Sequence, residues 1–429
     1  MSDRAVHSLG HAKTFGEALA AINKGVSRAL PSKDLYNKVV VLSLRWKNDD
    51  LGRKDIETEL LQLFERKYLF KTDSLLIPCA TKREAMSAIH MKLRTMRSFD
   101  SSDTLFIVVY EGRSDAYYRL PSASLGVMGS VKTAVSVPWS FVESQLATAN
   151  GGVLFILDTG FPPEAAWGYE NFEYLAAASA LKPPAAANID VSLTRQLINL
   201  LSQEETGITI AQLYAKLVVH ANRPGSQLDH TPVHVAARDR PSITLRRLEA
   251  LPRKLRGDLS DGKVLVTVWI SGRSSVPDVG QWIQWLSTSI PEEVADIKIE
   301  GLFKSDSSLL LLIMPVAVWS MLRHNDSFDF VSVVQSHNLL CHQSRPRPNN
   351  SSTINPAETS HHNDTNSTSD AGTEETEDDN VNTGDENLNT GDEEANTNQD
   401  LHTDRDSDDE EPNTDENNVT MTTPQATTR

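Results

Sequence analysis

Apolar residues at Phe15, Leu19, Ile22, Val26 and Leu30 recur every three or four positions, the spacing that gathers them on one face of an α-helix. Pro31 cannot continue such a helix. The pattern predicts an N-terminal helical segment within residues 1–35 that packs against the domain following it.

Beyond it, short runs that are apolar on both faces alternate with segments of helical period. The runs are KVVVLSLRW, DSLLIP, TLFIVVY and GGVLFILD; the helices between them carry Ile56, Leu60, Leu63 and Phe64, then Met86, Ile89, Leu93 and Met96, then Phe141 and Leu146 after Pro138. YLAAASA reads as a further strand. Helices carrying Leu193, Leu197 and Leu200, then Ile210, Leu213 and Leu217, follow it, and ITLRRL reads as a last strand. Strands without a polar face need cover on both sides, and strands separated by helices run parallel. Residues 36–250 are therefore expected to form an α/β domain, a mostly parallel sheet flanked by helices.

From Leu265 the order changes to strand VLVTVWI, a helix with Val279, Trp282, Ile283 and Leu286, strands DIKIEGLF and SLLLLIM, helix PVAVWSML and strand FDFVSVV. This βαββαβ order predicts a small ferredoxin-like α+β domain over residues 251–342. Pro315 is compatible with the first turn of its helix. Trp282, Trp285 and Trp319 lie on amphipathic helices and read as core or interface residues.

Composition sets residues 343–429 apart. They are rich in Asn, Thr, Ser, Asp and Glu and nearly devoid of aliphatic and aromatic residues, too little apolar surface to offset chain entropy, so a disordered acidic tail is expected. Of the formal charge of −17 over 429 residues, the tail supplies about −18, which leaves the rest close to neutral. The repeated heptads NTGDENL and NTGDEEA, from Asn382 and Asn389, read as low-complexity expansion.

Two cysteines, Cys79 and Cys341, give no disulfide framework, which predicts a reduced protein of the cytoplasm or another intracellular compartment. The most apolar stretch, SSLLLLIMPVAVW, is too short to span a bilayer and contains Pro315, so no membrane partner is expected. Arg246, Arg247, Arg253, Lys254 and Arg256 form the densest basic stretch. Without interleaved aromatic residues it reads as a solvated linker, and no nucleic-acid partner is expected.

In open parallel sheets chemistry collects at the carboxyl ends of the strands, where Glu111 and Asp158 fall. As a pair they could hold Mg²⁺, but Arg113 nearby makes an ion pair the simpler expectation, and neither a metal nor another cofactor is predicted. Cys79 reads as a buried or incidental thiol and His90 as a structural residue. His230 and His234 flank Pro232, which excludes a helix, and extended chain would separate them by roughly 13 Å, too far for one ion.

The stretches DDLGRKDIETELLQLFERKYLF, DTLFIVVYEGRSD, VLFILDTGF and ITIAQLYAKLV…TPVHVAARDRPSITLRRL resemble, in order and spacing, the caspase-like peptidases, particularly a fungal branch with metacaspase-type motifs. The resemblance covers roughly residues 38–248. It implies a histidine in a motif like YxGHG and a nucleophilic cysteine in one like DCC, the thiolate attacking the scissile carbonyl and the imidazole handling the proton. Tyr110 and Gly112 match the first motif, with Arg113 at the histidine. Asp158 matches the second, with Thr159 at the first cysteine and Gly160 at the nucleophile.

Arginine stays charged near neutral pH and cannot act as a base, and glycine has no side chain to attack with. Thr159 and Ser114 are weak nucleophiles unless a base adjoins them. The resemblance thus implies a caspase-like scaffold without peptidase activity that acts on other proteins, among them active relatives, and pairs through its sheet edge, as in cell-death-type signalling. The alternative is an atypical hydrolase built on Glu111 and Asp158 or on an unrecognised nucleophile.

Overall fold

The computed structural model describes residues 12, 14–32, 36–119, 122–130, 135–161, 171–178, 189–226, 228, 230–248, 258–271, 284, 297–304 and 308–339. The acidic tail, Cys341, the tryptophans at 282 and 285, and the basic residues at 253, 254 and 256 lie outside them.

Six strands form the central sheet: β1 (Lys38–Trp46), β2 (Lys71–Ile77), β3 (Thr104–Glu111), β7 (Gly152–Gly160), β8 (Phe172–Ala178) and β10 (Val233–Val235). Their order is β10-β8-β7-β3-β1-β2. All neighbours pair in parallel except β10, which runs antiparallel to β8. The result is the expected mixed α/β architecture, a mostly parallel sheet flanked by helices. The expected last strand ITLRRL is a correction: only Thr244–Leu245 (β11) is extended, and it pairs with Ile208–Thr209 (β9) outside the sheet. The sixth place goes to Val233–Val235, three residues too short to show a period.

Side chains alternate between two cores, as period-two geometry requires. Val39, Val41, Ile107, Val109, Leu154 and Ile156 point to one; Val40, Leu42, Phe106, Val108, Phe155 and Leu157 point to the other. The first is covered by α2 (Lys54–Arg66), α5 (Leu193–Gln203) and α6 (Ile210–Ala221), the second by α3 (Lys82–Arg97) and α4 (Trp139–Leu146). Thr81, Ser192 and Thr209 cap α3, α5 and α6 through their hydroxyls, each satisfying a backbone N–H left open at a helix start.

After β3 the chain turns into a small antiparallel sheet that the sequence pattern had not announced: β4 (Arg113–Arg119), β5 (Ser122–Met128) and β6 (Ser136–Pro138). Arg113 and Ser114 therefore begin a strand of their own.

The C-terminal strands β12 (Lys263–Ile270), β13 (Lys298–Lys304), β14 (Ser308–Pro315) and β15 (Phe328–Val334) form an antiparallel sheet of order β13-β14-β12-β15, with helix α7 (Val316–Leu322) between the last two in sequence. The expected division near residue 250 corresponds to no break in packing. Val264, Val266, Val268, Leu310, Leu312 and Trp319 join the same core as Val41 and Ile107, and residues 1–347 form one compact unit.

Helix α1 (Phe15–Ala29) differs from expectation in what it packs on. Its buried Ile22, Gly25 and Val26 meet α7, and a Cβ on Gly25 would stand 3.2 Å from Leu322. Arg28 donates to the carbonyls of Ala237, Arg240 and Met321 at 2.6, 2.8 and 3.2 Å. The helix belongs as much to the end of the folded region as to the domain that follows it. Among the described residues, no helix is long and apolar enough to cross a membrane.

Candidate functional site

In the sheet order, β1 leads outward to β2 and β3 leads the other way to β7, so the chain reverses direction between β1 and β3. This is the switch point at which doubly wound sheets place ligands. The loop after β1 and the ends of β3 and β7 meet there. Glu111 and Asp158 are register partners, side by side on the face covered by α2 and α5.

The charges they meet are not the ones expected. Arg113 pairs with neither; its Nε donates to Asp50 Oδ1 at 2.7 Å, and Ser130 Oγ donates to the other oxygen at 3.1 Å. Desolvation opposes ionisation of Asp50, but these hydrogen bonds hold its carboxyl below the ordinary range. Asp158 instead meets Arg53 of the β1 loop at 3.4 Å and accepts hydrogen bonds from the Thr194 hydroxyl at 2.8 Å and the Thr194 N–H at 3.3 Å. Close by, Glu57 accepts from Ser43 and Arg45, each at 2.7 Å.

The buried cluster thus holds two cations, Arg45 and Arg53, and two carboxylates paired with them. Glu111 is the third acid. It is fully buried and neither carboxyl oxygen has a hydrogen-bond partner. Burial, then the charges of Asp158 and Glu57, push its carboxyl well above the usual range, with Arg53 and the Thr194 hydroxyl opposing more weakly. A neutral Glu111 is what a charge-balanced interior requires.

The aromatic face of the site is rigid. Tyr110 donates from its hydroxyl toward the carbonyls of Arg113 at 2.6 Å and Met128 at 3.0 Å, which pins the start of β4. Gly112 sits directly against that ring: an added Cβ would stand 2.7 Å from the Tyr110 hydroxyl. Burial raises the Tyr110 pKa beyond the physiological range, so the hydroxyl remains a donor.

Thr159 and Gly160 end β7 and both are buried. Thr159 Oγ1 and Ser114 Oγ lie 2.6 Å apart, and Ser114 Oγ also lies 3.1 Å from the Gly160 carbonyl. Two hydroxyls satisfy each other here, and no histidine hydrogen-bonds to either among the described residues. Among those residues no cluster of three His, Cys, Asp or Glu is placed to hold a metal ion.

The remaining sequence candidates lie elsewhere. Cys79 is a free, partly exposed thiol. His90 is exposed on α3, with Nδ1 2.7 Å from Gln145 Oε1. His234 is fully buried on β10, its Nε2 2.7 Å from Glu173 Oε1. Asp50 and Arg53 were missed; the run DDLGR after a strand was their signal, since loops that follow parallel strands line the carboxyl end of the sheet.

No family model matches the sequence, and no curated protein matches it. Solved caspases are among its structural neighbours. The crystal structure of the Drosophila initiator caspase Dronc aligns at TM-score 0.33 and 8% identity, over 57% of this chain and 89% of that one. Caspase-1 from Spodoptera frugiperda aligns at TM-score 0.33 and 13% identity, over 51% and 94%.

Proposed function

We propose that the chain is a caspase-like protein, of the metacaspase-type branch with its catalytic positions substituted, that works by binding other proteins rather than by cleaving them. The observation that carries this reading is the fate of the two motif positions. The side chain at the histidine position, Arg113, is committed to Asp50, and the residue at the cysteine position, Gly160, contributes only a backbone carbonyl, which accepts from Ser114.

The hydrolase alternative needs a nucleophile beside a base that substrate can reach. The Thr194 hydroxyl on Asp158 is such a pair chemically, but Thr194 is fully buried and Asp158 is 6% exposed. Ser114 and Thr159 face each other without a base. These contacts favour the binding reading.

Partners in this reading are other proteins, active relatives of the family among them. The sheet ends in β10 on one side, where Arg323 takes the His234 carbonyl, and in β2 on the other, where a strand edge is a template for pairing with a second chain. The four-stranded C-terminal sheet is taken as a ferredoxin-like unit packed on the same core.

The test is to mix the purified chain with an active caspase-like peptidase and measure both complex formation and the peptidase's turnover. A complex with altered turnover is expected. Hydrolysis by this chain alone, with no effect on the peptidase, would overturn the proposal.

A further inference from the structure

A cavity of about 300 Å³ opens at the opposite end of the sheet from the switch point, where β3, β7 and β8 begin. Among its lining residues are Tyr36, Ser102, Asn171, Arg240, Ile243 and Thr244. None of the described residues that line it is acidic. Its size is at the lower end of the range for small-molecule sites.

Asn150 and Ser242 on this lining are bonded to Asp100 and Glu173, but three other polar groups stand apart. The Thr244 hydroxyl is buried and has no hydrogen-bond partner, a state that costs free energy unless something else satisfies it. Among the described residues, neither the Tyr36 hydroxyl nor the Arg240 guanidinium makes a side-chain hydrogen bond or ion pair. Arg240 is exposed at the mouth, yet near enough to act on the Tyr36 hydroxyl. Burial and the buried Glu173 raise the pKa of that hydroxyl, and Arg240 opposes them. Tyr36 therefore stays a neutral donor next to an unpaired cation.

The wall on the protein side is built. Glu173 is fully buried and holds Ser242 Oγ, the Ile243 N–H and His234 Nε2, each at 2.7 Å. The segment carrying Arg240 is tied to α1 through the Arg28 contacts and the hydrogen bond from Ser242 N–H to the Arg28 carbonyl at 2.9 Å. The wall of the pocket is thus fixed by structure that does not depend on a ligand, while the exposed Arg240 side chain is ordered only on binding.

We infer that this cavity binds a small anion with a hydroxylated body, of the sugar phosphate class. Arg240 takes the anionic group by charge-assisted hydrogen bonds. Tyr36, Thr244, Ser102 and Asn171 serve the hydroxyls, and Ile243 gives an apolar patch for the carbon face. The site lies apart from Arg113 and Gly160 and does not depend on how those are read.

The experiment is calorimetric titration of the full chain with ribose 5-phosphate, inorganic phosphate and ribose in separate arms. Ribose 5-phosphate is expected to bind, phosphate to bind more weakly and ribose not measurably. Arg240→Gln should weaken ribose 5-phosphate binding about tenfold or more, as loss of one charge-assisted contact does. Its melting temperature should not change, because the side chain is exposed. Tyr36→Phe, which keeps the ring, should weaken binding several-fold. Absence of ribose 5-phosphate binding at millimolar concentration, or equal affinity in Arg240→Gln, would overturn the site. Ribose binding as tightly as its phosphate would overturn the anionic assignment, and phosphate binding as tightly as ribose 5-phosphate would overturn the role given to the hydroxyls.

Discussion

Arg53 and Asp158 meet at 3.4 Å with only 2% and 3% of their side chains exposed, one from the loop after β1 and the other from the end of β7. Arg113 and Asp50, at 2.7 Å, keep 22% and 34%. The closer pair is the wetter one, and solvent decides what each contributes. Arg53→Met leaves the Asp158 carboxylate buried and unpaired, which should cost about 3–5 kcal/mol in denaturant unfolding. Arg113→Gln should cost about 1 kcal/mol or less. Equal losses would contradict the assignment.

The purified chain should not cleave peptides directed at Arg, Lys or Asp, with or without Ca²⁺. The measurement is fluorogenic turnover under thiol alkylation and in Thr159→Ala. Activity that survives both would revive the hydrolase reading. Arg113→His with Gly160→Cys should not restore cleavage, because Ser114 and Thr159 occupy the surroundings of Gly160 and Asp50 those of Arg113.

Glu143 on α4 accepts the Tyr174 hydroxyl at 2.9 Å, and burial pushes its carboxyl up to about 7. In the unfolded chain it ionises near pH 4.3. Between those values the folded state holds a proton that the unfolded state has lost, so stability falls as pH rises. The contribution is fully present below about pH 4.3 and gone above about pH 7, a change on the order of 3 kcal/mol. Glu143→Gln keeps an acceptor for Tyr174 and cannot titrate. Its unfolding free energy should therefore vary less than the parent's from pH 5 to pH 7; identical slopes would refute this.

Gly112→Ala should cost about 1–3 kcal/mol, because the new methyl overlaps the Tyr110 hydroxyl and must displace it from the Arg113 and Met128 carbonyls. Thermal unfolding would measure it. Tyr110→Phe in the same background should recover part of the loss, since the clashing oxygen is gone.

The central sheet was legible because its strands are long and apolar on both faces: KVVVLSLRW coincides with β1, and TLFIVVY with nearly all of β3. Period failed where elements were short or irregular, as at β10, or where a strand followed another without a turn signal, as at β4. The site was half legible. Strand ends pointed to Glu111 and Asp158, but Arg53 and Thr194, the partners of Asp158, are set by how α2 and α5 fold over the sheet. No spacing along the chain reports that. Hence Arg113, two residues from Glu111 in sequence, serves Asp50 instead.

The apolar stripe of α1 finds its cover in α7, nearly three hundred residues later, and Arg28 reaches Met321. During synthesis, the first helix leaves the ribosome long before the surface that will bury it exists. Until the chain has passed Leu322, Ile22 and Val26 have no permanent neighbours there. The last steps of folding must therefore bring the two ends of the folded region together. A nascent chain stalled before α7 would expose both the α1 stripe and the unclosed core, which makes it a substrate for chaperones rather than a partly working protein.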